Sequence, residues 1–417
     1  MSRLDELIRE LCPDGVEYKP FNLVAQYVRG VTYGKAHEVN DGRDGYNLLR
    51  ANNITLSSNT LNFDEVKIVD FAVKVKESQK LKKGDILICA GSGSKEHIGK
   101  VAYIFEDIDY TFGGFMGVVR ANTGAMLSRF MFHILTGSHF KEHLSRASGA
   151  SSSTINNNNN DTWKDFILPV PPIEVQREIV RILDKFTELS AELSAELSAR
   201  QRQSEYYRDS LFAFDNNVAL KPMSELFPLI RNGFVGTVTN DFTDAAHGVR
   251  YLRGTNIHDG MIGGDDFVYV THEFHKKHIK TELKADDIIM VQSGHVGECA
   301  VVGEKFAGSN CHALIVMSNG GQCDSRYITY YLHSSEGKKK LAAISTGGTV
   351  KHILASAMKK FVVPVPSLVE QQRIVSNLDR FDALCNDLSS GLPAEIEARQ
   401  KQYEYYRDKL LTFKPLA

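Results

Sequence analysis

The chain has 417 residues, enough for two to four domains at about 150 residues each; its 42% hydrophobic and 24% charged content is that of a folded globular protein. No apolar run approaches the roughly 18 residues of a membrane span, and the acidic opening does not resemble a secretory signal. The six scattered cysteines (Cys12, Cys89, Cys299, Cys311, Cys323, Cys385) form no Cys-x-x-Cys pair, so neither a disulfide framework nor a zinc knuckle is expected, and the expected compartment is a reducing cytoplasm. A net charge of −2 does not by itself suggest a nucleic-acid partner.

In chain order, short β-rich runs (Val66 to Val75, Asp85 to Cys89, Val101 to Phe105, Gly117 to Arg120) alternate with Gly, Asn and Ser turns. A helix is predicted over Ser128 to Ala147, then an exposed polar loop through Gly149 to Thr154 and Asn156 to Asn160. A second helix is predicted from Ile173 to Leu211, opened by Pro171-Pro172. Its length is roughly 60 Å at 1.5 Å per residue. Phe186, Leu189, Leu193 and Leu197 give it one apolar stripe.

The pattern then repeats. Ala199-Arg-Gln-Arg-Gln-Ser-Glu-Tyr-Tyr-Arg-Asp209 recurs as Ala398-Arg-Gln-Lys-Gln-Tyr-Glu-Tyr-Tyr-Arg-Asp408, with 9 of 11 positions identical. Pro169-Val-Pro171 matches Pro364-Val-Pro366, followed by Gln176 with Gln371, Leu183 with Leu378, Asp184 with Asp379 and Phe186 with Phe381. Further upstream, Leu49-Arg50 and Asn53-Ile54 match Leu252-Arg253 and Asn256-Ile257, and Ser128-Arg129-Phe130 matches Ser325-Arg326-Tyr327. Ser325 to Ile344 should therefore be helical like Ser128 to Ala147. The last helix opens on a capping box, Ser367 with Glu370. It carries the stripe Leu378, Phe381, Leu384 and Leu388, and should bend at Ser389-Ser-Gly391-Leu-Pro393.

The expected fold is α+β: two mixed α/β domains separated by two long helices packed as an antiparallel coiled coil, with a pseudo-twofold internal repeat. The expected division is 1–168, 169–214 (helical), 215–363 and 364–417 (helical).

Enzymatic motifs fail on inspection. His139-Phe-Lys-Glu-His143 fits an inverted zincin pattern, but its repeat counterparts are Glu336, Lys339 and Lys340, so it reads as a helix surface. His272, His275 and His278 do not share a helix face. Gly93 to Lys100 has the wrong spacing for a P-loop, and Val101 stands where magnesium would need Ser or Thr. Glu65-x-Lys67 is too short a fragment for a nuclease cluster and reads as a salt-bridged strand. No catalytic or metal-binding residue is expected.

The opening Leu7 to Tyr18, the pair Asn47-Leu-Leu-Arg-Ala-Asn-Asn-Ile54 and Tyr251-Leu-Arg-Gly-Thr-Asn-Ile257, and the two Pro-Val-Pro helix entrances resemble the specificity subunits of type I restriction-modification systems, across the whole chain and in that family's order. The resemblance implies that the two globular segments are target-recognition domains, each reading half of a split asymmetric site in double-stranded DNA. The helices would set the spacing and dock two methyltransferase subunits. S-adenosylmethionine would come with those subunits, ATP and Mg with motor-nuclease subunits, and no cofactor with this chain. A duplicated scaffold for protein partners that never touches DNA is the competing reading.

Base contacts are expected from Arg50, Asn52, Asn53, Ser92, Ser94 and Lys95 in the first half, and from Arg253, Thr255, Asn256, Ser293 and His295 in the second. Arg suits guanine and Asn suits adenine through paired hydrogen bonds. Arg50 and Arg253 are equivalent, which suits phosphate positioning or internal structure better than reading two different half-sites. Tyr206, Tyr207, Arg208, Tyr405, Tyr406 and Arg407 match too closely to be variable readers and belong to helix packing or partner docking.

Residues 1–168 carry 20 basic and 20 acidic side chains and residues 215–363 carry 16 and 15, so the isolated chain should bind DNA weakly. The units Leu189-Ser-Ala-Glu192, Leu193-Ser-Ala-Glu196 and Leu197-Ser-Ala-Arg200 have a geometric consequence. Each lengthens a helix by about 6 Å and leaves a net rotation of about 40°. One B-DNA step advances about 3.4 Å and turns roughly 35°, so helix and duplex change phase nearly together.

Overall fold

The computed structural model describes residues 2–39, 44–55, 58–92, 96–147, 160–214, 218–348, 351–386 and 391–416. It divides into two compact units, residues 1–192 with 397–417, and residues 193–396. Among the described residues no helix is long and apolar enough to cross a membrane.

In the first unit β1 (Tyr18–Pro20) precedes β2 (Ala25–Arg29), β3 (Tyr46–Leu49), β4 (Lys67–Val69), β5 (Ile86–Cys89), β6 (Val101–Tyr103), β7 (Thr111–Phe112) and β8 (Met116–Ala121). Then come α1 (Ser128–Thr136), α2 (Ser138–Ala147), β9 (Ile167–Pro169) and the 39-residue α3 (Ile173–Leu211), which continues into the second unit. Strands β2-β8-β5-β6 form one antiparallel sheet, in which Gly117 faces Arg29 on one side and Ile88 on the other. Strands β4-β3-β7 form a second sheet with β3 and β7 parallel, and β1 pairs with β9. Ile86 to Cys89 are fully buried because both faces of that strand are covered, which explains its unbroken apolar run.

The second unit contains β10 (Ala219–Pro222), β11 (Leu229–Asn232), β12 (Phe242–Thr243), β13 (Gly248–Leu252), β14 (Val268–Thr271), β15 (Ile288–Val291), β16 (Cys299–Val301), β17 (Asn310–Cys311) and β18 (Leu314–Ser318). After these come α4 (Ser325–His333), α5 (Ser335–Ile344), β19 (Val362–Val365), α6 (Leu368–Asn386) and α7 (Leu392–Leu410), which belongs to the first unit from residue 397 on. Here β11-β18-β15-β16 repeats the order of the first antiparallel sheet. The sheet β12-β14-β13-β17 keeps the parallel pair, and β10 pairs with β19.

Several expectations need correction. The run Val66 to Val75 contributes only three strand residues, because Asp70 turns the chain: its Oδ1 accepts the Ala72 N–H and its carbonyl the Val73 N–H. The single helices expected over 128–147 and 325–344 are each two. Both break before a serine, Ser138 or Ser335, and a distant aspartate caps the restart. Asp408 Oδ1 accepts the Ser138 N–H at 3.2 Å, and Asp209 Oδ1 accepts the Ser335 N–H at 2.9 Å. The aspartates ending the two copies of the eleven-residue repeat thus supply the charge that a helix N-terminus favours.

Leu189 is 40% exposed and leaves the expected stripe, because at 100° per residue it falls on the shoulder of the face carrying Phe186, Leu193 and Leu197. The last helical segment is described as α6 up to Asn386 and as α7 from Leu392, with Pro393 in the first turn of α7, where proline costs no hydrogen bond. The Ser367 hydroxyl accepts the Glu370 N–H at 3.3 Å. The polar tract 149–159, the Leu384 side chain and Leu388 lie outside the described residues.

Each helix start is locked by a buried glutamine. Gln176, with no exposed surface, accepts the Leu127 N–H at 2.8 Å and donates to the carbonyls of Ala125 and Pro171. Gln371 accepts the Asp324 N–H at 2.9 Å and donates to Pro366. Two turns on, Arg129 reaches Asp184 at 2.8 Å and Arg326 reaches Asp379 at 2.6 Å. Burial works against the Asp184 carboxylate, but the His133 hydrogen bond and the Arg129 charge outweigh it and hold its pKa below the ordinary value. Replacing Gln176 or Gln371 by Ala leaves these backbone groups buried without partners. The expected loss is about 2–4 kcal/mol of stability, with faster amide exchange at Leu127 or Asp324 as the local readout.

Candidate nucleic-acid interface

In each unit, loops from four strand ends converge. In the first, the Val31 N–H donates to Phe112, the Gly113 N–H to Leu49, and the Ala90 and Gly91 N–H groups to Phe115. The loops after β2, β3, β5 and β7 are thereby joined. In the second, the Phe234 N–H donates to Cys311 and the His312 N–H to Leu252; Ser293 on the loop after β15 bridges to His352. The base-contact candidates among the described residues sit on these loops.

Their availability differs sharply. Asn53 and Asn256 have no exposed surface and serve the fold: each side-chain oxygen accepts the backbone N–H three residues earlier, of Arg50 and Arg253, at 2.9 Å. Asn53 also donates to the Asn62 carbonyl, and Asn256 to Asp266. Their expected role as base readers is therefore corrected. A short polar side chain that closes a tight turn is spent there.

Arg253 donates to the carbonyl and carboxylate of Asp266 at 2.7 and 2.6 Å, and Thr255 donates to the same carboxylate at 3.1 Å. Asn52 is exposed and donates to Glu65 at 3.3 Å. Arg50 is half-buried, and its side chain passes Gly113. Ser293 bonds His352 Nδ1 at 2.6 Å, and His295 is exposed. Ser92 is half-buried, while Ser94 and Lys95 lie outside the described residues.

The repeated tyrosines divide into two kinds. Tyr207 stacks on Phe381 with centroids 5.2 Å apart, and Tyr406 stacks on Phe186 at 5.6 Å. Tyr206 and Tyr405 are 72% and 63% exposed. Arg407 is buried over the Tyr403 ring and bonds Asp408 at 2.9 Å, whereas Arg208 is half-buried. Sequence reasoning missed Tyr403, whose hydroxyl meets His133 at 3.1 Å; its counterpart Ser204 cannot make the same contact, so the repeat carried no signal. His139 and His143 bond the carbonyls of Ile167 and Thr162 instead of converging on a metal. Lys67 pairs with Glu38 at 2.8 Å, in keeping with a salt-bridged strand.

Asn53→Ala and Asn256→Ala should each cost about 1–3 kcal/mol of unfolding free energy, because a buried amide partner is lost. Thr255→Ala, on an exposed side chain, should stay within about 0.5 kcal/mol. Denaturant midpoints of the purified variants measure both.

Residues 17–200 and 239–398 match the family described as type I restriction modification DNA specificity domain. The chain is 36% identical over 258 residues to the EcoR124I/EcoR124II specificity subunit of Escherichia coli, covering 59% of this chain and 61% of that subunit. It is 30% identical over 303 residues to the type I specificity subunit S.HindORF215P of Haemophilus influenzae, covering 69% and 72%. A chain solved in work on complex assembly and conformational transition of the type I R-M system has the same fold, with a TM-score of 0.61 at 16% identity, covering 96% of this chain and 98% of that one. With the family matched over both units, the chain belongs to the type I restriction-modification DNA specificity subunits, a non-catalytic class.

Proposed function

We propose that this chain reads the two halves of a bipartite, asymmetric DNA site, one with each convergent loop cluster. The observation that carries this reading is the combination of a repeated strand order with unlike loop side chains. A shared frame presents different chemistry, as two dissimilar half-sites require. The segments 1–168 and 215–363 are the readers, and 169–214 and 364–417 the spacers.

Phe186 on Tyr406 and Tyr207 on Phe381 support an antiparallel coiled coil related by a pseudo-twofold axis. Two methyltransferase subunits dock on the repeated helical surface, where Tyr206 and Tyr405 are exposed, and bring S-adenosylmethionine. Motor-nuclease subunits bring ATP and Mg for cleavage. Near-balanced charge leaves much of the phosphate contact to those partners, and a cytoplasmic location follows from the genomic target.

Deleting Leu193 to Glu196 removes one four-residue helical unit, about 6 Å of rise. The unread gap between half-sites should shrink by about one base pair, with both half-sites unchanged. Methylation mapping of the deletion variant reads this directly; altered half-site letters would refute the spacer role.

A further inference from the structure

The turn between β7 and β8 carries a feature that its counterpart lacks. Between Phe112 and Met116 the first unit has three residues, Gly113, Gly114 and Phe115; between Cys311 and Leu314 the second has two, His312 and Ala313. The flanks are equivalent: Gly113 bridges Val31 as His312 bridges Phe234, and Met116 pairs with Cys89 as Leu314 pairs with Val291. The longer turn ends on a phenylalanine, Phe115, 52% exposed.

Its backbone is held firmly. The Phe115 carbonyl accepts both the Ala90 and Gly91 N–H groups at 2.9 Å, and the Met116 N–H closes the turn on Gly113 at 2.7 Å. A Cβ at Gly114 would lie 3.1 Å from Thr32 Oγ1, and one at Gly113 would lie 3.2 Å from Leu48 Cδ2. Two glycines therefore let the turn press onto the loop after β2 and the end of β3, so that the protruding ring stands on a pinned base. A lone exposed apolar side chain is ordinary. This one stands on a braced turn beside Thr32 and Arg50, on the loop cluster.

We propose that Phe115 opens a base step in the half-site read by the first unit and stacks on the base so exposed, whereas the second unit reads its half-site without such a wedge. Apolar wedges unstack DNA in this way, and a flat ring stacks on any base without needing a hydrogen-bond code. The inference rests on the proposed reading of the chain as a DNA reader. It adds that the two readers differ in mechanism as well as in sequence preference.

The test uses the full chain reconstituted with its methyltransferase subunits, on duplexes carrying 2-aminopurine at successive half-site positions other than the methylated adenines. Emission should rise at a position in one half-site only. Phe115→Ala should abolish that rise and weaken specific binding on the order of ten- to a hundredfold, while Phe115→Trp retains both; because the ring is exposed, the Ala variant should keep its unfolding midpoint. A rise that survives Phe115→Ala, a rise in both half-sites or in neither, or unchanged affinity of the Ala variant would overturn the wedge. Should the wild-type complex bind no duplex sequence-specifically, the DNA-reading function itself falls, and this inference with it.

Discussion

Two buried glutamines fix the direction in which each helix leaves its sheet domain. A long helix with a narrow apolar face has little to orient it; its stripe can slide or roll against a partner at small cost. Gln176 removes that freedom by satisfying three backbone groups at the joint between the α1 entrance and the start of α3, and Gln371 does the same for α6 with two. The Arg129–Asp184 and Arg326–Asp379 pairs fasten the same joint further along. Asp408 and Asp209 fasten the far ends, by capping α2 and α5. A buried amide with its hydrogen-bond partners is costly to disturb, so each junction between sheet domain and helix is stiff.

The division of labour between shared and unshared residues follows from that joint. Positions that hold a sheet domain to its helix must satisfy the same backbone groups in both copies, so Gln, Arg, Asp and the paired Tyr recur. Loop tips are free of that requirement. There the two copies diverge: Asn52 with Glu65 against Thr255 with Asp266, and Gly113-Gly114-Phe115 against His312-Ala313.

Much of this was legible in the amino-acid order. The repeat marked both joints, the 3.6-residue periodicity set α3 to its observed ends, and the glycine- and asparagine-rich turns marked the loop cluster. What escaped was set by distant contacts. The breaks before Ser138 and Ser335 depend on aspartates 270 and 126 positions away, which local propensity does not encode. Asn53 and Asn256 look like base readers in the sequence because an exposed and a turn-closing asparagine are alike there; only burial separates them. Phe115 has no sequence signal, since a single aromatic beside two glycines has no periodic signature.

The central claim, two unlike readers held at a fixed separation, is tested most directly by single-molecule methylome sequencing of a host carrying this chain with its methyltransferase. The account predicts one new methylated motif made of two different specified half-sites around an unspecified gap of constant length. A contiguous motif, a gap of variable length, or no change in the methylome would contradict it.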